Sequence, residues 1–431
     1  MKKFFFFLFL IFSFTLPTFS QEEVIQLFDG KNYNPVPWNK IDHIGYDEED
    51  NNLKVITKDE IINIDVTEGL LFPTGHTIPL IEIFTDENLN EIPNKVDYKS
   101  GDFLLSGFGS YSDIEGRVEI RGRGNTSWMF DKKPYRLKFD KKISLCGLPK
   151  AKNFVLLANY TDNSLMQNAL AFKIGEMLEL PYTPVGIPVD VKLNGTYKGS
   201  YLLTNKPGIN AGSVDIDEDR SIMWELDIIY DEELKFKSPL LDLPVMVADP
   251  DLTEEQFEYW KNDFIEMEKS VVKLKASEYI DLDIAAKYLL VFEIMKNDEI
   301  GYPKSVKLFK SEGEKYIFGP IWDFDTSMGK VWNGPGYTTD NIEKKVWINA
   351  LFGWLEDDPI FINSIKTHWS FMKNRLPELL DFVDEYYENI QQSGLRNQQV
   401  WDGLEDFESC RMKLKNWIIM RYDSLDKIYG Q

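Results

Sequence analysis

Metal-ligating side chains are scarce in this sequence. Two cysteines (Cys146, Cys410) and three histidines (His43, His76, His368) are scattered over 431 residues. That is too few for a zinc ribbon or an iron–sulfur cluster, and no HExxH helix occurs. Positive charge is also short. The chain has 71 acidic against 48 basic residues and a net charge of −23, which disfavours nucleic acid or an anionic lipid surface as a partner. No long apolar run follows the N-terminus, so no transmembrane segment is expected in the mature chain. The two cysteines lie far apart in sequence, which leaves open a disulfide or two buried thiols. With 43% hydrophobic and 28% charged residues, the composition is that of a globular protein.

The N-terminus, Met1 to Ser20, has a basic head (Lys2, Lys3), an apolar run from Phe4 to Leu16, then Pro17 and small residues. This pattern predicts a secretory signal peptide over 1–20, cleaved after Ser20, and an exported protein. Residues 21–75 read as an extension of short strands and loops with an acidic knot at Asp47–Asp50. Residues 76–431 read as one α+β domain, strand-rich in its first half and helix-rich in its second. Strands are expected at 78–84, 103–108 and 117–120. A hairpin is expected at 189–203, turning on Asn194-Gly195. Helical periodicity marks 164–178, where Ser164 and Gln167 fit a capping box, and also 253–274, 284–296 and several segments after Phe361.

One window departs from the acidic whole. Arg117 to Lys152 holds eleven basic residues against Glu119, Asp131 and Asp140, which suggests a local anion site. Its glycines, in Arg121-Gly-Arg-Gly-Asn125, let backbone N–H groups approach an anion, and the arginines supply fork-shaped donors. Lys132, Lys133, Lys141 and Lys142 fit a solvated hairpin. Arg136 and Lys138 instead alternate with Tyr135, Leu137 and Phe139, so they share one strand face. Two cations side by side call for a negative partner, either a ligand phosphate or a carboxylate of the protein.

A second constellation lies later. A helix over 284–296 ends at Asn297-Asp298; a loop, a hairpin turning at 311–314 and a strand then run into Trp322-Asp-Phe-Asp325. Asp323 and Asp325 have strand spacing, and paired carboxylates on one face suit a hard cation such as Mg²⁺ or Mn²⁺. Helix, loop aspartate, hairpin and metal-binding aspartate follow one another as in phosphoryl transfer enzymes. In that order Asp298 accepts the hydroxyl proton, and Asp323, with or instead of Asp325, holds the metal. The Arg121–Lys138 region neutralises phosphate. Asp215–Asp219 alternates oxygens but lacks the glycine and distal glutamate of a calcium loop, and reads as a solvated acidic turn. Glu225 and Asp227 alternate on an expected strand and could face the acidic site.

At these residues the sequence resembles the CotH kinase family of atypical protein kinases. The matching stretches are Arg121–Trp128, Lys133–Lys138, Pro149–Asp162, Leu193–Thr204 and Gly319–Asp325. The resemblance implies a divergent protein-kinase-like fold that uses ATP with Mg²⁺ or Mn²⁺ to phosphorylate protein serine or threonine. It implies Asp298 as catalytic aspartate and Asp323 and Asp325 as metal ligands. Arg121, Arg123, Arg136 and Lys138 are the candidate phosphate ligands. The competing expectation is a catalytically inactive kinase-fold module at the cell envelope that binds protein or glycan, suggested by eleven tryptophans and 14% aromatic residues.

Overall fold

The computed structural model describes residues 24–28, 33–37, 40–47, 52–57, 61–65, 70–73, 78–330, 337–401 and 406–430. The expected signal peptide lies outside them. The chain divides into two compact units: Met1–Pro79 with Ser106–Asp113, and Leu80–Leu105 with Ile114–Gln431. The first unit contains two antiparallel three-stranded sheets. In one, β1 (Val24–Phe28) lies between β2 (Tyr33–Pro37) and β6 (Leu70–Pro73). In the other, β4 (Asn52–Thr57) lies between β3 (Ile41–Asp47) and β5 (Ile61–Asp65).

The second unit opens with seven strands that close into a barrel: β7 (Leu80–Thr85), β8 (Lys99–Ser106), β9 (Ile114–Gly122), β10 (Tyr135–Ile143), β11 (Ala151–Leu157), β12 (Ile187–Leu193) and β13 (Thr196–Asn205). The order around it is β7-β8-β9-β10-β11-β13-β12, with β12 returning parallel to β7. Closure leaves no open edge. The alternation on β10 holds: Tyr135, Leu137 and Phe139 are buried, and Phe139 meets Phe103 and Phe154 edge to face at 5.1 and 5.9 Å. The β12–β13 hairpin turns at Asn194 (φ 48°) and Gly195 (φ 80°), the two positive-φ positions a tight turn requires.

After β11 comes α1 (Gln167–Met177). The expected Ser164 cap does not form, and the helix begins later. Asp162 instead accepts the Gln167 N–H at 2.7 Å and the Ser164 N–H and hydroxyl at 2.9 and 2.6 Å. A carboxylate is the stronger acceptor, so Ser164 becomes its donor and the Gln167 side chain is left to reach elsewhere.

A five-stranded sheet follows, ordered β15 (Lys235–Lys237), β16 (Pro244–Asp249), β14 (Ser221–Leu226), β17 (Val306–Ser311), β18 (Ile317–Phe318). Helices α2 (Glu254–Val271), α3 (Leu282–Met295), α4 (Ala350–Leu355), α5 (Pro359–Lys373), α6 (Leu376–Val400) and α7 (Phe407–Tyr429) complete the unit. Thr253 and Gln256 form a capping box on α2. Helix α3 is apolar almost all round, which commits it to the interior; it packs on α1, α5, α7 and β18. Strands therefore dominate the first half and helices the second, as the sequence implies. Cys146 and Cys410 are buried thiols that form no disulfide. Asp217 caps the turn at 218–220 by accepting the Asp219 N–H, in keeping with an acidic turn. Among the described residues no helix is long and apolar enough to cross a membrane.

Lys132, expected to be solvated, is instead fully buried. Its Nζ donates to the Ser200 carbonyl and sits 4.7 Å from the centre of the Tyr201 ring. Burial pulls its ammonium down to about 7, against the pull of Asp190 and Asp162. In the unfolded chain the same group stays protonated to about pH 10.4, so the unfolded state binds more protons between those values. Its penalty on stability therefore shrinks as pH rises. Wild type is expected to gain about 2 kcal/mol relative to Lys132→Met between pH 7 and 9. Urea unfolding of both proteins at each pH checks this; a difference that does not move with pH contradicts it.

Candidate active site

A cleft of about 820 Å³ lies within the second unit, between the barrel and the sheet-and-helix half. Its barrel wall is cationic for a reason of register. Arg136 on β10 stands directly opposite Arg121 on β9, while Lys138 stands opposite Glu119. Facing like charges destabilise an antiparallel pair, and facing opposite charges support it. Lys138 accordingly pairs with Glu119 at 2.8 Å and is not among the residues lining the cleft. Of the two partners open to it, the structure supplies the carboxylate, and it places Lys138 outside the cleft lining.

Arg136 has no such neutralisation. Its Nε and Nη2 donate to Asn153 Oδ1 at 3.3 and 3.0 Å. Arg121 donates to the Lys95 carbonyl and lies 4.9 Å from the Tyr98 ring centre. Lys206, the residue after β13, adds a third cation to this wall. Burial lowers its ammonium pKa, and Arg136 lowers it further. Arg123 also lines the cleft, 5.6 Å from the Trp322 ring centre. Burial lowers its pKa, against the opposing pull of Asp323, Asp325 and Glu225. Sequence reading missed Lys206, because one lysine at a strand end carries no periodic signal; the Pro207 that stops the strand was the only mark.

The opposite wall is acidic. Helix α3 ends with Lys296 in the left-handed region (φ 48°), and the chain turns through Asn297 into Asp298. Lys296 Nζ donates to both oxygens of Asp298 at 2.8 Å, and the Trp347 N–H donates to Asp298 Oδ1 at 2.8 Å. Oδ1 thus carries two donors and Oδ2 one, which leaves Oδ2 the more open. Glu299, the next residue, is drawn into the cleft as well. Its pKa is raised by burial and by the neighbouring Asp323.

Asp323 and Asp325 both line the cleft, yet not as strand neighbours. Strand β18 stops at Phe318, and Asp323 sits in a loop with φ +67°. A non-glycine residue held there carries strain that the surroundings must fix, a condition common at functional sites. Burial, then the charges of Asp323, Glu299 and Asp162, push the Asp325 carboxyl up to about 8, with Lys330 opposing. Glu225 and Asp227 also face this cleft. Glu225 is paired with Lys307 at 2.5 Å, and Asp227 accepts the Ile229 and Ser305 N–H groups.

Among the described residues no group of three or more histidines, cysteines and carboxylates gathers around one point. The donor set at Asp323 and Asp325 fits a Mg²⁺-type ion that takes one or two carboxylates and fills its shell with phosphate oxygens and water. The crowded negative charge that holds a proton on Asp325 is relieved when such a cation replaces the proton.

A family model described as CotH kinase protein matches residues 120–425, most of the chain, including the arginines and carboxylates of the cleft named above. The chain belongs to the CotH kinase family. No curated protein matches it. Membership points to a kinase-like function with ATP and divalent metal as its general requirements. In this CotH kinase family member, Arg121, Arg123, Arg136, Asp298, Asp323 and Asp325 border one cleft, whereas Lys138 stands apart with Glu119.

Proposed function

We propose that this protein is an exported atypical protein kinase of divergent protein-kinase-like fold, which transfers the γ-phosphoryl group of ATP to serine or threonine of a protein substrate. The observation that carries this reading is the pairing of a cationic wall, in which Arg121 and Arg136 face each other without a carboxylate between them, with the acidic loop at Asp323 and Asp325 across the same cleft. Arg123, Arg136 and Lys206 hold the phosphates, with Arg121 behind them. Asp323 and Asp325 would hold Mg²⁺ or Mn²⁺, which supplies charge neutralisation on the transferring group when bound. Lys296 and the Trp347 N–H orient Asp298 so that Oδ2 meets the acceptor hydroxyl. The hydroxyl oxygen bonds to the γ-phosphorus, the bond from that phosphorus to the β,γ-bridging oxygen breaks, the hydroxyl proton passes to Asp298, and ADP leaves. A positioned carboxylate suffices as the proton acceptor where the transition state is loose. Export follows from the pattern of residues 1–20.

The test is transfer of label from γ-labelled ATP, with Mn²⁺ or Mg²⁺, to a serine-rich protein or to the enzyme itself. A charge-assisted hydrogen bond contributes about 1.5–3 kcal/mol, so Arg136→Ala is expected to raise the KM for ATP about 10- to 100-fold. Lys138→Ala, which removes contacts to Glu119 and the Tyr98 ring outside the cleft lining, is expected to leave KM within about twofold. Absence of transfer from the wild type, or equal effects of the two substitutions, contradicts the reading.

A further inference from the structure

The strained loop that carries Asp323 and Asp325 is gripped by side chains from a segment some 160 residues earlier. Asn168 Oδ1 accepts the Phe324 N–H at 2.8 Å, Gln167 Oε1 accepts the Ser327 N–H at 3.2 Å, and the Thr161 hydroxyl donates to the Asp325 carbonyl at 3.1 Å. Asn168 and Gln167 are buried in the first turn of α1. The orientation of the Asn168 amide is itself fixed, because its Nδ2 donates to Asn159 Oδ1 at 3.0 Å, and Asn159 Nδ2 donates in turn to the Leu165 carbonyl at 3.3 Å. Behind both stands Asp162, which anchors the start of the helix. On the far side the Met328 N–H donates to the Met295 carbonyl at 2.7 Å, so the loop is held between α1 and the end of α3.

We infer that Asn168, with Gln167 beside it, is the positioning residue of this loop: together they fix the backbone from Phe324 to Ser327, directly after Asp323 and around Asp325, so that both carboxylates meet the cation in a set geometry. The inference rests on the reading of Asp323 and Asp325 as metal ligands. The chemistry of the grip fits the task. Neutral amides bind the backbone and leave the carboxylate charge for the cation, whereas a lysine or arginine at the same place would compete with it. Buried hydrogen bonds to main-chain N–H groups also hold the φ +67° residue that the free chain would relax.

Two substitutions in α1 separate positioning from mere stability. Asn168→Ala removes the grip; Leu170→Ala removes a buried apolar side chain of the same helix and touches stability alone. Amide hydrogen exchange over residues 321–328 reads the loop without any ligand. Binding of Mn²⁺ beside a non-hydrolysable ATP analogue, followed by electron paramagnetic resonance, reads its function. Asn168→Ala is expected to speed exchange in the loop, and to weaken Mn²⁺ binding, each about tenfold, the upper range for one lost hydrogen bond. Leu170→Ala is expected to leave both within about threefold despite a larger loss of overall stability. Unchanged loop exchange in Asn168→Ala overturns the inference. So does faster exchange with unaltered Mn²⁺ affinity, and so does an equal loss in Leu170→Ala. If wild type binds neither Mn²⁺ nor the nucleotide, the kinase reading falls, and exchange alone then decides whether Asn168 holds the loop.

Discussion

Asp323→Asn is expected to lower phosphoryl transfer by about a thousandfold or more, roughly 4 kcal/mol of transition-state stabilisation, while the fold persists. Asparagine is the appropriate replacement. It keeps the shape of the side chain and tolerates the left-handed backbone at φ +67°, where alanine would add strain. On the proposed reading, what it removes is the charge that would hold the cation against the phosphates. The same change relieves the carboxyl of Asp325, which burial and then Asp323 hold at about 8. With that neighbour neutral, the Asp325 pKa falls and the unliganded protein is no less stable than wild type. Loss of activity should therefore come with an unchanged or raised melting temperature, a combination that a general folding defect cannot produce. Steady-state kinetics with label transfer, alongside thermal unfolding, checks both halves. A variant that retains activity within tenfold of wild type would show that Asp323 is not a metal ligand.

Arg421→Ala is expected to destabilise the protein by about 3–5 kcal/mol, the usual consequence of stranding a buried charge. Glu293 in α3 and Arg421 in α7 have no exposed side-chain surface, and they meet at 2.7 Å. Glu293 also accepts the Tyr429 hydroxyl at 2.8 Å and the Val346 N–H at 3.0 Å, while Arg421 donates to the carbonyls of Glu293, Ile342 and Lys344. Loss of the guanidinium takes a donor from three carbonyls and the counter-charge from one buried carboxylate together. Because residues 342–346 lead directly into Trp347, whose N–H holds Asp298, the damage should reach the active site. Urea unfolding gives the stability, and kcat of the folded fraction gives the second effect. Pairing Arg421→Met with Glu293→Leu should recover much of the stability, since a matched apolar pair leaves no unpaired charge. A loss under about 1 kcal/mol for the single variant would mean that solvent reaches the pair.

Much of the site was legible in the sequence because its parts sit on strongly patterned elements. The apolar run of α3, the aspartate after it and the hairpin before Asp323 could be ordered without coordinates, and the alternation on β10 set Arg136 and Lys138 on one face. Sequence could not give them different fates. That depends on cross-strand register, which pairs Arg136 with Arg121 and Lys138 with Glu119, and register is a tertiary fact. The Asp-x-Asp spacing suggested a strand, but buried amides from α1 hold it as a loop, and no local propensity reports a contact with so distant a segment. Ser164 and Gln167 matched a capping box until Asp162, a better acceptor two residues earlier, took the helix N–H. Lys132 looked solvated beside other lysines, yet it is buried against Ser200 and Tyr201 of β13. Residues Ser106–Asp113 fall with the first unit rather than the second, a chain excursion that composition does not mark.

The central claim is that one nucleotide–metal site spans the arginine-faced strands and the Asp323–Asp325 loop. Crystals grown with Mn²⁺ and a non-hydrolysable ATP analogue test it most directly, through the anomalous signal of the metal. The expected map has a manganese peak on a carboxylate oxygen of Asp323 or Asp325, with nucleotide phosphates within hydrogen-bond reach of Arg136 or Lys206. A cleft free of nucleotide at saturating concentration, or manganese bound away from both aspartates, would contradict it.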